Sequence, residues 1–187
     1  MEVATGLDGA GTSLAVAAVV SAQRAGEIAA WLQLQHGSLF PPDLESAGVD
    51  LDGLVVVHVP PRGVAVPTAA KSPAAARAAH ELPKAAELLL RSGAFDLLVL
   101  DLRSGAPPRG AWAGRLRALA REHQSRVLLL TDARTPADLG TAIAQRIAPR
   151  RRRQEGTFAL ELQLLVDRMP APGRVATLLR SGPAGLH

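Results

Sequence analysis

Residues 3–13, VATGLDGAGTS, decide the fold. A short apolar strand, residues 2–5, runs directly into Gly6, Gly9 and Gly11, and small apolar residues suited to a helix follow. Strand, glycine turn and helix in that order aim backbone N–H groups at a phosphate. The glycine spacing and the hydroxyl of Ser13 suit such a loop, yet Thr12 stands where a lysine would reach the β- and γ-phosphates. The same glycines also serve a bare corner, which needs positive φ and close helix packing whether or not phosphate binds. The loop is therefore expected to be a retained turn, with at most weak nucleotide binding.

Working outward, SLAVAAVVSAQRAG reads as a helix closed by Gly26, and EIAAWLQL as a buried parallel strand. PPDLESAGVD predicts a short helix capped by Asp43, and LDGLVVVHVP a strand whose apolar run, residues 54–57, ends at His58 and a proline. Residues 60–83, rich in Ala, Pro and Ser, predict an irregular loop with one helical turn at most. KAAELLLRSGAFDLLVLDL then gives a helix, a Ser-Gly stop and a strand ending in Asp101. After the GAPPRG turn, AWAGRLRALAREHQ is an amphipathic helix and RVLLLTD a further buried strand. A short helix near ADLGTAIAQR precedes the run Arg150, Arg151, Arg152 and Arg153. FALELQLLVDR and RVATLLRS, joined by a Pro-Gly turn, predict an antiparallel hairpin on the sheet edge. Alternating β and α elements after a glycine corner predict an α/β fold, a mainly parallel twisted sheet with helices on both faces. We expect one domain over residues 1–181 and a tail at 182–187.

Composition narrows the function classes. At 187 residues, 48% hydrophobic and 20% charged, the chain suits one globular domain, and 3% aromatics make its core aliphatic. Only Lys71 and Lys84 among the 21 basic residues are lysines, so the net charge of +4 reflects an arginine-biased sequence and argues only weakly for an acidic partner. The absence of cysteine excludes disulfides, thiolate zinc sites and a thiol nucleophile. The five histidines have no paired ligand spacing, so neither a metal nor a cofactor is expected. No apolar run near the start approaches a membrane span, and a cytoplasmic protein with no membrane partner is expected.

Taken in order, the segments VATGLDGAGTSLAVAAVVSAQRAG, GVDLDGL, RSGAFDLLVLD and VDRMPAPGRVATLL resemble the RecA-type recombinase core, collinearly from about residue 3 to 179. That resemblance implies a RecA-like P-loop core in which Ser13 is the Walker A hydroxyl and Asp101 the Walker B carboxylate. Gly6, Gly9, Gly11, Thr12, Ser13 and Asp101 are then a degenerate nucleotide site, expected to be inactive because the lysine is missing. The family's catalytic glutamate falls near His80 and Glu81, its glutamine-type sensor is replaced by Thr131 and Asp132, and the segments matching its two DNA-binding loops are short. Relative to the family the sequence starts at the first core strand.

HELPKAAELLLRSGAFDLLVLDL is most similar to the ImuA-type proteins of bacterial SOS mutagenesis, RecA-like at the core and degenerate in their ATPase motifs. The resemblance implies a non-catalytic accessory of translesion synthesis whose partners are ImuB, an error-prone C-family DNA polymerase and RecA itself. Two other readings stand beside it. One is a RecA-type DNA-dependent ATPase in which another basic residue, such as Arg103, replaces the lysine; the other is a SulA-like cell-division inhibitor. Arg150, Arg151, Arg152 and Arg153 are candidates for contact with DNA or an acidic partner, although no aromatic residue interleaves them and charge runs usually form a solvated surface. Trp31 is expected in the core, and Trp112 on the surface as a partner contact.

Overall fold

The computed structural model describes residues 1–5, 10–34, 39–60, 73–103, 111–132, 139–154, 157–168 and 176–181. The expected loop residues Gly6 and Gly9 and the 182–187 tail lie outside them. Strands β1 (Glu2–Thr5), β2 (Ala29–Leu34), β3 (Leu54–Val59), β4 (Leu97–Asp101) and β5 (Arg126–Asp132) alternate with helices α1 (Ala10–Arg24), α2 (Pro41–Ser46), α3 (Pro73–Arg91) and α4 (Trp112–Glu122). A 3-10 turn (Gly140–Ala142) leads into β6 (Gln145–Gln154), β7 (Thr157–Asp167) and β8 (Ala176–Ser181).

The eight strands form one sheet in the order β3-β2-β4-β5-β1-β6-β7-β8. All pairs from β3 to β6 are parallel, and β6–β7 and β7–β8 are antiparallel. This is the expected α/β architecture, consistent with a RecA-like core. Strand parity explains its two cores. Ala29, Trp31, Leu97, Val99, Leu128 and Leu130 face α1 and α2. Their neighbours Ala30, Leu32, Leu98, Leu100 and Leu129 face α3 and α4. Apolar residues at successive positions, 29–32 of β2 and 97–100 of β4, are what burial on both faces requires.

Helix α1 lies close on the sheet because its inward surface carries alanines, with Ala15 and Ala22 buried among Leu14, Val19 and Val20. Gly26 ends it at φ +76°, and Gly93 follows α3 at φ +66°, conformations that a side chain would strain.

Five expectations need correction. The segment 60–83 is not all loop, since α3 begins at Pro73 and contains Pro83. Proline is favourable at the first helical position, and the alanines between residues 74 and 79 have the highest helix propensity; together they outweigh the one N–H that Pro83 lacks. Asp43 is not the cap of α2: Phe40 occupies that position without a side-chain bond, and Asp43 lies in the first turn, where a carboxylate favours the helix dipole. Only three residues near ADLGTAIAQR are helical among those described. The arginine run sits in strand β6, so the antiparallel edge has three strands and not two. Trp112 is buried at the start of α4 against Leu116 and Leu139, not exposed.

Trp31 is in the core as expected, fully buried, but its Nε1–H has no hydrogen-bond partner. Trp31→Ala should cost about 3–5 kcal/mol through the cavity it leaves. Trp31→Phe also relieves the orphaned donor, so its cost should stay below about 1.5 kcal/mol. Urea unfolding followed by Trp112 fluorescence measures both; equal losses would mean that the indole N–H is satisfied in solution.

Candidate functional site at the head of helix α1

A parallel sheet brings the carboxyl ends of its strands to one edge, and the N-termini of the following helices stand over that edge. Here it places Thr12 and Ser13, in the first turn of α1, beside Asp101 at the end of β4. Arg103 joins them. Its guanidinium binds Asp101 side-on, Nε to Oδ1 at 2.9 Å and Nη2 to Oδ2 at 2.5 Å. The remaining arm, Nη1, donates to Thr12 Oγ1 at 2.7 Å across 91 residues of sequence. The backbone N–H of Arg103 also donates to Asp101 Oδ1 at 3.1 Å, closing the short turn that returns the side chain to the carboxylate. The pair is largely withdrawn from water, with the Asp101 side chain 5% and the Arg103 side chain 20% exposed.

A second arginine reaches the same helix end. Arg151 Nη2 donates to Ser13 Oγ at 2.8 Å, tying β6 to α1. The arginine run thus divides by strand parity. Arg151 shares the α1 side with Leu160, its partner in register, while Arg150 and Arg152 lie on the opposite face with Glu161, to which Arg152 Nη1 donates at 3.2 Å. The side chain of Arg153 is outside the described residues. Arg150, Arg151 and Arg152 therefore do not form one continuous stripe, because neighbours in a strand point to opposite faces.

Other predicted residues are placed elsewhere. Glu81 pairs with Lys84 Nζ at 3.1 Å on the surface of α3, and the side chain of His80 is not described. Gly11 is buried within α1. Thr131 does not face the site but the other side of the sheet, where its Oγ1 donates to Glu2 Oε1 at 2.9 Å. Glu2, 1% exposed, also accepts from Arg146 Nε at 2.8 Å and Nη2 at 3.1 Å. Neither Glu2 nor Arg146 was singled out from the sequence; the available signal was a charged residue opening a short, otherwise apolar strand. One further polar group lies in the sheet interior: Gln33 of β2 is buried, and its Oε1 has no partner.

A magnesium-nucleotide needs the Asp101 carboxylate and the Ser13 hydroxyl as oxygen donors, and the position of Thr12 for a cation that meets phosphate. The arrangement does not fit that group. Both carboxylate oxygens are taken by one guanidinium, which itself occupies the space at Thr12, and each hydroxyl accepts from an arginine. A divalent ion beside Asp101 would meet a fixed positive charge.

Comparison with known proteins agrees with the architecture. Protein RecA of Mycobacteroides abscessus is 35% identical over 105 residues, covering 56% of this chain and 25% of that protein. Over a stretch of the same length, the RecA proteins of Nocardioides sp. and Acidothermus cellulolyticus are 34% and 35% identical. The chain is RecA-like. The matched stretch of this RecA-like chain spans about a quarter of the length of these relatives. No protein-family model matches it. Among the described residues, no helix is long and apolar enough to cross a membrane.

Proposed function

We propose that this RecA-like chain is a non-catalytic accessory of SOS mutagenesis, acting in translesion DNA synthesis through contacts with ImuB, an error-prone C-family polymerase and RecA. The observation that supports it is the guanidinium of Arg103 standing between Asp101 and Thr12, where turnover would require a metal and a phosphate. A domain of this shape offers RecA a surface like that of a neighbouring protomer without driving an ATP cycle, so it caps or inhibits RecA filaments.

The test is calorimetric titration of the protein with ATP and Mg²⁺, beside phosphate release with and without single-stranded DNA and a RecA strand-exchange assay at excess protein. We expect no heat, no release, and shortened filaments with slowed exchange. Unchanged exchange would remove the capping role. A second reading has one observation in its favour: Arg103 does reach Thr12, so it could stand in for the lysine of a working ATPase. DNA-stimulated phosphate release would establish that reading in place of the first.

A further inference from the structure

We propose that Arg103 is a resident cation, built into the chain in the place of a dissolved one, which closes Asp101 to divalent metals and joins β4 to α1 in the absence of any nucleotide. The proposal rests on the reading of the site as one without turnover, and deepens it by naming what holds the site instead.

Three observations carry it. One guanidinium satisfies a carboxylate at a strand end and a hydroxyl at a helix head together, using Nε, Nη1 and Nη2. Those are two elements that a bound metal and phosphate would otherwise connect, and a planar fork matched to a carboxylate is stronger and more directional than a point charge. The contact is also local. Arg103 lies two residues from Asp101, and its own N–H is bonded to the same carboxylate, so a metal must displace a charge that cannot diffuse away. Finally, Arg151 engages the hydroxyl of Ser13, the remaining oxygen that a metal at this helix end would seek. Strand β6, with its partner β7, is thereby fastened to the same joint.

A metal excluded by a side chain should enter when that side chain is removed. The probe is Mn²⁺ alone, without nucleotide, followed by the electron paramagnetic resonance signal of the free ion, with the Mg²⁺ dependence of Tm as a second readout. The wild-type chain should bind no Mn²⁺ at Asp101, and its Tm should not respond to Mg²⁺ or to chelator. Arg103→Gln, which keeps most of the volume, should take up one Mn²⁺ with a Kd on the order of 1 mM. At ten times that Kd its Tm should rise by about 3–5 °C. Arg103→Gln combined with Asp101→Asn should lose both responses. Arg103→Lys, also a cation, should still exclude the metal and serves as the folded control should the glutamine variant fail to fold. Stoichiometric Mn²⁺ binding by the wild type that Asp101→Asn abolishes would overturn the proposal, as would Mn²⁺ uptake by Arg103→Lys equal to that of the glutamine variant or a folded glutamine variant blind to Mn²⁺. Metal binding by the wild type without phosphate release would end this inference and leave the accessory role standing. Phosphate release that proceeds without Asp101 would do the reverse.

Discussion

Glu2→Ala should lower the stability of the chain by about 3 kcal/mol, the lower end of the cost of stranding one member of an ion pair, since the Arg146 left behind is partly exposed. β1 lies inside the sheet, between β5 and β6, and the Glu2 carboxylate joins all three strands through Thr131 and Arg146. For a domain of this size the loss corresponds to a fall in Tm on the order of 10 °C. Glu2→Gln keeps an acceptor for Thr131 and should cost about half as much. Thermal melting of the two variants checks the argument, and a fall under about 2 °C for Glu2→Ala would mean that the network contributes little in solution.

Asp101→Ala is the second large effect, about 3 kcal/mol, because it takes the carboxylate away from a largely buried guanidinium at the positive end of α1. The partial exposure of Arg103 keeps the figure at the lower end, since some of its charge can be rehydrated. Changing both residues, Asp101→Leu with Arg103→Met, removes the charges together and should cost less than the sum of the two single changes by about 1–3 kcal/mol. Urea denaturation of the four proteins closes the cycle. Strict additivity would show that the two side chains do not meet.

Most of the sheet was legible in the sequence for a simple reason. Strands such as LLVLD and AAWLQL are apolar on both faces, which only a covered parallel sheet tolerates, and glycines mark the helix ends at Gly26 and Gly93. Three other features were hidden by physics that local patterns do not carry. Strand β6 reads QRIAPRRRRQ, and four identical charges have no alternation to display; the hydrogen bonds to β7 and the burial of Leu160 beneath Arg151 make it a strand. The first half of α3 looks like a breaker-rich loop until Pro73 is recognised as a helix start. Trp112 follows the Gly- and Pro-rich stretch GAPPRG, and nothing nearby in sequence announces that Leu139 will cover it.

The candidate site was legible as a set of types and not as a constellation. Thr12, Ser13 and Asp101 could be named from the motif, and the missing lysine pointed to lost chemistry. That the Thr12 hydroxyl is engaged by Arg103, and the Ser13 hydroxyl by Arg151, depends on contacts spanning 91 and 138 residues, which no local spacing encodes. Arg103 itself is two residues from its carboxylate partner, yet a basic residue after a strand-end acid is too common to be read as a bond.

The central position of β1 also sets a schedule for the chain as it leaves the ribosome. Glu2 is made first among the sheet residues, but Arg146 is 144 residues away. At about 5–20 residues per second, the first strand waits roughly 7 to 30 s for that partner. Strands β2, β3 and β4 can pair among themselves in that interval, leaving bare the edge of β4 on which β5 and then β1 will add. Until β5 and β6 emerge, β1 is a short apolar segment with both edges bare, the form in which strands find wrong partners. The long closure makes this a slow-folding topology, in which β1 is seated only after β5 and β6, more than a hundred residues further along, have been made.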